Sequence, residues 1–188
     1  MGQITVEKNV GGIEGLCVIT PKVHGDNRGY FMETYSQRDM AEAGLDIPFV
    51  QDNQSMSVKG VLRGLHFQKN FPQTKLVRCI KGSVFDVAVD LRAGSATYGK
   101  WYGVELTAEN KKQFYIPEGF AHGFLVLSDE AEFAYKCTDF YHPGDEGGLL
   151  WNDETIGVQW PITEDMEVLL SEKDTKWGKF DEIFKFEK

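Results

Sequence analysis

The chain has 188 residues, and its 29 acidic residues outnumber its 20 Lys and Arg residues to give a formal net charge of −9 at pH 7. This length suits one domain, over residues 1–188, that buries a core without disulfide or metal staples. The acids are scattered along the chain, which argues against a nucleic-acid partner but leaves a nucleotide ligand open, because a few converging cations suit a diphosphate.

At the amino end, residues 1–10 mix Gln, Glu, Lys and Asn with apolar residues, so this segment lacks the apolar core of a signal peptide. No stretch approaches the roughly 20 apolar residues of a membrane span. Cys17, Cys79 and Cys137 lie far apart and form no Cys-x-x-Cys pair, which indicates core thiols in a reducing compartment. We therefore expect a cytoplasmic protein with no membrane partner.

Short runs rich in Val, Ile, Phe and Tyr recur between glycines and acids, and this spacing predicts antiparallel strands joined by turns. In chain order the predicted strands cover residues 16–19, 30–35, 61–67, 75–80, 84–90, 113–116, 122–127 and 132–137. So many strands in one domain must close on themselves or stack as two sheets, because long open edges invite aggregation. The prediction is an all-β, antiparallel double-sheet jelly-roll barrel of the cupin type.

Helical patterns are few. Residues 36–43 predict one short helix, with Ser36 as its N-cap, Asp39 three residues later and Gly44 as its stop. A second short amphipathic helix is expected within residues 176–186. The glycine-rich and acidic stretch 143–153 is predicted to be a loop. Besides the barrel, amino- and carboxyl-terminal extensions are expected.

The densest polar cluster within a strand pattern is the segment 60–68, GVLRGLHFQ. Arg63 and His66 would each be costly if buried without a partner, so each must face solvent, a partner or a polar cavity. Taken alone, His66 also suits a core histidine with one hydrogen bond. Three positions apart, the two side chains would point to opposite faces of a regular strand. If both serve one ligand, we expect a bulge near Gly64, or Arg63 reaching around the barrel mouth.

Two other segments add polar groups at strand spacing. Gln51, Asn53 and Ser55 share one face of any strand, which fits either a ligand site or an ordinary solvent-exposed face. Tyr135 shares its face with the apolar Phe133, so it is predicted to point inward, where a tyrosine usually packs and finds a hydrogen-bond partner.

Together and in this order, eight segments resemble the dTDP-4-dehydrorhamnose 3,5-epimerase family over about residues 26–174. They are DNRGYFME (26–33), QDNQS (51–55), GVLRGLHFQ (60–68), KLVR (75–78), DVAVDLR (86–92), IPEGFAHGF (116–124), YK (135–136) and LSEKD (170–174). Each fragment is weakly specific, whereas their joint order is highly specific.

The resemblance implies four catalytic residues. His66 is similar to the family's base, and an imidazole can accept a proton at cytoplasmic pH. Asp174 is implied to fix its tautomer and stabilise the imidazolium. Tyr135 resembles the acid on the opposite face of the sugar, and Lys75 the cation that stabilises the enolate oxygen, with His122 close by in support.

The resemblance also implies a nucleotide-binding set, in which guanidinium groups suit the diphosphate and amides and carboxylates suit the base and hydroxyls. Besides His122, this set comprises Arg28, Glu33, Gln51, Asn53, Arg63, Glu146 and Lys173. Glu146 lies in the predicted acidic loop, so it also fits a simple solvated carboxylate.

No metal and no cofactor are expected. Many cupins bind a transition metal through a His-x-His pair, but position 68 is Gln where the second histidine would stand. The remaining histidines, His24, His122 and His142, are not within ligand spacing of one another, and a metal site needs three or four converging ligands.

The expected function is inversion of C3 and C5 of dTDP-4-dehydro-6-deoxy-D-glucose to dTDP-4-dehydro-L-rhamnose through enolates, by a homodimer in which Arg28 or Glu33 reaches the partner's cavity. Three alternatives stay open. They are an epimerase that inverts one centre in a related deoxysugar pathway, a non-catalytic sugar-nucleotide-binding cupin, and a metal-dependent cupin oxygenase or isomerase.

Overall fold

The computed structural model describes residues 3–187 of the chain, and strands dominate it. The described strands are β1 (Ile4–Lys8), β2 (Cys17–Pro21), β3 (Val23–Asp26), β4 (Gly29–Met32), β5 (Gln51–Val58), β6 (Leu62–Gln68), β7 (Lys75–Lys81), β8 (Ser83–Asp90), β9 (Trp101–Thr107), β10 (Gln113–Ile116), β11 (Phe120–Val126), β12 (Glu130–Cys137) and β13 (Glu146–Gly148). The helices are a 3-10 turn at Val10–Gly12 and α1 at Gln37–Glu42.

Two large antiparallel sheets form the body of the molecule. One has six strands in the order β1-β2-β10-β7-β12-β5, and the other has five in the order β13-β6-β11-β8-β9. Strands β3 and β4 form a separate two-stranded hairpin. The strand order places sequence-distant strands side by side, as in a jelly roll, so the prediction of an all-β, double-sheet, cupin-like fold is confirmed.

The main core lies between the inner faces of the two sheets. Phe114 and Phe133 reach it from the six-stranded sheet, and Val84 and Phe124 from the five-stranded sheet. Phe124 and Phe133 stack across it with ring centroids 4.2 Å apart. These positions follow the two-residue period of their strands, so burial of alternate apolar side chains holds the sheets together.

The helix prediction for residues 36–43 is confirmed. Ser36 Oγ accepts a hydrogen bond from the Asp39 backbone N–H at 3.4 Å, and Gly44 follows the helix with a φ of +78°. No helix among residues 3–187 is long and apolar enough to cross a membrane.

The predicted helix within 176–186 is wrong, because this segment consists of turns and isolated bridges that lie along the outside of the five-stranded sheet. Phe184 and Phe186 both pack against Phe67, and the Phe186 backbone exchanges hydrogen bonds with Leu91 and Ala93. An extended path lets both aromatic rings reach the sheet, which a helix of this length would not.

The predicted loop 143–153 is partly wrong, since it contains β13, which pairs with the edge of β6. Two glycines make this close pairing possible. A Cβ on Gly147 would come within 2.5 Å of the Phe67 ring, and one on Gly148 within 2.2 Å of the Trp177 ring. β13 therefore lies beneath two aromatic side chains that a larger residue would displace.

Strand β6 is distorted where the sequence predicted it. Its register with β11 runs from His122 opposite His66 to Phe124 opposite Arg63, so β6 has one extra residue in this interval. Gly64 has a φ of +133°, which suits glycine. The bulge turns Arg63 and His66 toward the same cavity, which confirms the predicted distortion near Gly64.

Candidate active site

A cavity of about 410 Å³ lies between the two sheets. The six-stranded sheet contributes Gln51, Asn53, Ser55, Lys75, Phe133 and Tyr135 to its walls. The five-stranded sheet contributes Arg63, His66, Phe67, Gln68, His122, Gly123, Phe124 and Glu146, and loops add Gln73, Tyr141 and Lys173. Gln51, Asn53 and Ser55, which lie on the same face of β5, thus face the cavity rather than solvent.

His66 is paired with Asp174 on the five-stranded side. Its Nε2 forms a hydrogen bond with Oδ1 of the buried Asp174 carboxylate. Burial would raise the pKa of Asp174, but hydrogen bonds from His66, Ser171 and Trp177 lower it below its ordinary value. An ionised carboxylate only accepts hydrogen bonds, so Nε2 carries the hydrogen and Nδ1 is left to take up a proton.

Tyr135 lies on the opposite wall, on β12 of the six-stranded sheet. Its half-buried ring packs near Phe133, with centroids 6.1 Å apart, which agrees with the predicted inward orientation. Burial raises the pKa of Tyr135 above its ordinary value, so the phenol stays protonated at neutral pH. A hydroxyl in this state can donate a proton to a group held between the two sheets.

A buried charged cluster forms another part of the wall. The His122 Nε2 lies 2.9 Å from each carboxylate oxygen of Asp86, and both side chains are buried. Burial lowers the pKa of His122 and raises that of Asp86. Burial also lowers the pKa of Lys75, against the opposing influence of Cys137, Asp86 and Glu146. Lys75 and His122 therefore line this part of the cavity together, and Asp86 is hydrogen-bonded to His122.

Polar groups suited to a nucleotide line the remaining wall. The Gln51 Nε2 donates to Asn53 Oδ1 at 3.0 Å, and Arg63 Nε donates to the Ser57 hydroxyl at 3.1 Å. Within the described part of the chain, the terminal nitrogens of Arg63 have no hydrogen-bond partner and can take a phosphate.

Glu146 and Lys173 lie together at the cavity wall. The Lys173 ammonium is 2.8 Å from both Glu146 carboxylate oxygens, and the Glu146 side chain is only 15% exposed. Glu146 is thus a paired cavity residue rather than a freely solvated carboxylate.

Arg28 and Glu33 do not reach the cavity of their own chain. Arg28 lies at the turn of the β3–β4 hairpin, where its 85% exposed side chain pairs with Asp26. Glu33 follows β4 and is exposed. The structure of one chain therefore brings together all the predicted site residues except these two.

Several side chains at the site have no role in the prediction from the sequence. Asp86 interrupts the otherwise apolar run 84–89 of β8, and a charged residue within such a run signals a buried partner or a polar cavity. Tyr141 lines the cavity and is 52% exposed. Trp177 and Ser171 contact Asp174 from the turns near the carboxyl end, and only the fold shows this.

Gln68, at the position where metal-binding cupins carry a histidine, has a different role here. Its Nε2 donates to the carbonyls of Phe71 and Phe140, and its Oε1 accepts from the His142 backbone N–H at 2.7 Å. The amide thereby joins two loops beside the cavity. Across residues 3–187, no three His, Cys, Asp or Glu side chains are grouped to hold a metal ion.

Two antiparallel sheets around a cavity, with an imidazole–carboxylate pair on one wall and a phenol on the other, define an acid–base enzyme of cupin-like fold. The family model described as dTDP-4-dehydrorhamnose 3,5-epimerase matches residues 11–182. The chain belongs to this family, and it is an isomerase.

Individual relatives agree with this assignment. The chain is 56% identical over 165 residues to the dTDP-4-dehydrorhamnose 3,5-epimerase of Methanothermobacter thermautotrophicus, covering 88% of this chain and 89% of that protein. It is 52% identical over 175 residues to the Escherichia coli enzyme, covering 92% and 94%. The Legionella pneumophila dTDP-6-deoxy-D-glucose-3,5-epimerase, solved in complex with dTDP-4-keto-L-rhamnose, superposes with a TM-score of 0.91 at 48% identity, covering 96% and 95%.

Proposed function

We propose that the protein inverts C3 and C5 of dTDP-4-dehydro-6-deoxy-D-glucose, through enolate intermediates, to give dTDP-4-dehydro-L-rhamnose. One observation carries the proposal. The His66–Asp174 pair and Tyr135 face one cavity from opposite sheets. Inversion requires removal of a proton from one face of a carbon and its return on the other face, which a single base cannot do in place.

His66 is the base that removes the proton. The C4 ketone acidifies the hydrogens on both neighbouring carbons, so each can be taken by a base as an enolate forms. His66 Nδ1 accepts the proton, and the electron pair of the broken C–H bond moves into the enolate. Asp174 stabilises the resulting imidazolium through Nε2–H, and Lys75 stabilises the enolate oxygen, with His122 close by in support.

Tyr135 is the acid that returns a proton to the carbon. Its hydroxyl donates to the carbon from the opposite wall, the enolate collapses to the ketone, and the configuration at that carbon is inverted. His66 then loses its proton to solvent while the phenolate regains one. The same pair acts on the second carbon once the sugar ring presents it.

The remaining cavity residues bind the nucleotide. Arg63 and Lys173 suit the diphosphate, Gln51 and Asn53 suit the edge of a pyrimidine base, and the exposed ring of Tyr141 offers it a stacking surface.

We further propose a homodimer in which Arg28 and Glu33 of one copy complete the cavity of the other. Arg28 lies beside Tyr30 and Phe31, which are 61% and 67% exposed on the same hairpin. Large apolar side chains at this exposure are typical of an interface. Neither nucleic acid nor a membrane is a proposed partner.

The cytoplasm is the proposed location, and residues 1–188 are proposed to form one jelly-roll domain with its terminal extensions. Two contacts support the single domain. β1 pairs with β2 near the amino end, and Phe186 near the carboxyl end bridges to Arg92.

The reaction is tested by incubating the purified protein with dTDP-4-dehydro-6-deoxy-D-glucose in deuterated water and following both carbons by NMR. We expect solvent deuterium at C3 and C5 and inversion at both. Inversion at one carbon alone would establish the single-centre alternative, whereas a protein that binds the nucleotide without exchange would be a non-catalytic cupin. Full activity in a strong chelator is expected, and its loss would establish the metal-dependent alternative.

A further inference from the structure

The Asp174 carboxylate receives more hydrogen bonds than its pairing with His66 requires. Ser171 Oγ donates to Oδ2 at 2.9 Å, and Trp177 Nε1 donates to Oδ1 at 3.1 Å. Oδ1 is also the oxygen that receives Nε2 of His66. One indole N–H and one imidazole N–H thus meet on a single carboxylate oxygen, while the other oxygen is held separately.

The Trp177 side chain is held firmly in this orientation. Its ring lies edge to face with the His66 ring, with centroids 5.8 Å apart. Gly148, opposite His66 in the β13–β6 pair, leaves the space that the indole fills. The backbone beside Trp177 is anchored as well, since Gly178 O accepts from the Leu150 N–H at 2.9 Å.

We propose that Trp177 is a positioning residue for the acid–base pair, whose indole N–H holds the Asp174 carboxylate so that Oδ1 fixes His66 with its hydrogen on Nε2 and Nδ1 free. The inference rests on the proposed function in assigning His66 as the base. A carboxylate held by His66 alone could rotate about its Cβ–Cγ bond, and each rotation would loosen the imidazole. Ser171 and Trp177 together leave it one orientation.

Other charged groups surround His66 and must remain unchanged for the test to be clear. They are Arg63 on the same strand, His122 and Asp86 on β11 and β8, Lys75 and Tyr135 on the opposite sheet, and Glu146 and Lys173 at the cavity wall. Of these, Lys173 is near Trp177, with its ammonium 5.8 Å from the ring centroid. A substitution that keeps an aromatic ring at 177 preserves this neighbour as well.

Trp177→Phe keeps a ring and removes the N–H, and replacement of Trp177 by β-(3-benzothienyl)-alanine removes the N–H from an otherwise isosteric side chain. In both variants we expect kcat to fall about tenfold, as when an orienting carboxylate loses one donor, with KM changed less than twofold. Nitrogen NMR of the free protein should show His66 losing its single Nε2–H tautomer. Carbon NMR of the Asp174 carboxyl should show its pKa raised, because a donor to the ionised form is gone.

Trp160→Phe is the matched control. In the wild type, the Trp160 indole N–H donates to the Trp151 carbonyl at 2.8 Å, and Trp160 does not line the cavity. This variant should keep the His66 tautomer, the Asp174 titration and kcat of the wild type. Equal effects in the two Phe variants would overturn the proposal.

The NMR measurements need no substrate, so they separate this inference from the proposed function. An unchanged His66 tautomer and Asp174 titration in the isosteric variant would overturn the role of Trp177 even if the wild type epimerises normally. Altered NMR signals in a protein that never exchanges substrate hydrogen would support the positioning contact and overturn the proposed function alone.

Discussion

His66 and Tyr135 lie on opposite sheets, so substitutions at these two residues should separate the two proton transfers. His66→Ala should abolish deuterium exchange at both carbons, because loss of a positioned base costs a factor of about 10² to 10⁴. Tyr135→Phe removes one hydroxyl and keeps the ring, so enolate formation continues and exchange outlasts inversion. Both rates are measured in one NMR time course in deuterated water.

Nucleotide binding provides the control for this pair, since the Arg63 and amide contacts remain in both variants. Calorimetric titration with dTDP should give wild-type affinity. The assignment fails if Tyr135→Phe epimerises at the wild-type rate or if His66→Ala still exchanges. If neither variant folds, as judged by circular dichroism, both side chains are core packing rather than chemistry.

His122 is expected to make the folded protein sensitive to mild acid. Burial lowers its pKa against the opposing influence of Asp86, so below about pH 6.5 the unfolded chain binds a proton that the folded chain does not. Stability therefore falls as the pH falls below that value, with a limiting slope of about 1.4 kcal/mol per pH unit for one proton. Urea unfolding at pH 7 and pH 5.5 measures the loss.

His122→Gln removes the titrating group, and its free energy of unfolding should change less between these pH values than that of the wild type. Asp86, whose pKa burial raises, acts in the opposite sense, since the folded chain holds its proton to higher pH. Asp86 is present in both the wild type and His122→Gln, so the comparison isolates the change at His122. Equal pH slopes for the two proteins would contradict the assignment to His122.

At the scale of the strand, the sequence pattern was informative where apolar side chains alternate. Each predicted strand overlaps an observed one, and 113–116 matches β10 in full. Five observed strands, β1, β3, β5, β9 and β13, were not among the predicted ones. Gly103 interrupts the pattern of β9, and Gly147 and Gly148 make β13 look like a loop. Each of these glycines leaves room for an aromatic ring from elsewhere in the chain, and a local sequence pattern carries no information about such contacts.

The site likewise has residues that the sequence pattern reveals and residues that it does not. Residue types in an unusual place, such as His66 within an apolar strand, were visible in the sequence, and the family resemblance supplied their roles. The donors on Asp174 were not visible, because Trp177 reaches it only when the carboxyl-terminal turns lie along β13. That path also explains why the predicted terminal helix is wrong.

The bulge in β6 depends on Gly64, which leads to a stability prediction. A Cβ at this position would lie 2.6 Å from Gly123 Cα and 2.9 Å from the His122 carbonyl oxygen, at a φ of +133°. Backbone atoms on β11 cannot move aside, so Gly64→Ala should lower the free energy of unfolding by about 3 kcal/mol. Chemical denaturation measures this difference.

Gly144→Ala is the matched control for the glycine substitution, since a Cβ there meets nothing within 4 Å. Its effect should stay within roughly 0.5 kcal/mol. If Gly64→Ala were equally neutral, the bulge would not need glycine, and the shared orientation of Arg63 and His66 would need another cause.

At the scale of the whole molecule, the predicted site residues fall into two groups. Those on the two large sheets and the segment carrying Asp174 share one cavity, whereas Arg28 at the turn of the β3–β4 hairpin and Glu33 directly after β4 lie outside it. The proposed dimer accounts for this division, because the exposed hairpin of one copy then enters the cavity of the other. Sedimentation at micromolar concentration should therefore show a dimer.

Complementation between two variants, one with a raised KM and one without the base, tests whether the site is shared. Arg28→Ala should raise KM for the nucleotide sugar at least about tenfold, the loss expected for a charge-assisted contact to phosphate. His66→Ala should be inactive. After unfolding and refolding as a mixture, half the dimers by chance contain one subunit of each kind. If Arg28 acts across the interface, the wild-type His66 in one subunit then meets the wild-type Arg28 of the other, and one intact cavity forms per mixed dimer.

The mixture should consequently regain low-KM activity that neither variant has alone, at about a quarter of the wild-type rate, because mixed dimers form about half the population and each has one intact site. If Arg28 instead served its own cavity, every site in the mixture would lack either the arginine or the base. No low-KM activity would then appear. Refolding each variant separately before mixing provides the control, since without subunit exchange the shared-site model also predicts no gain.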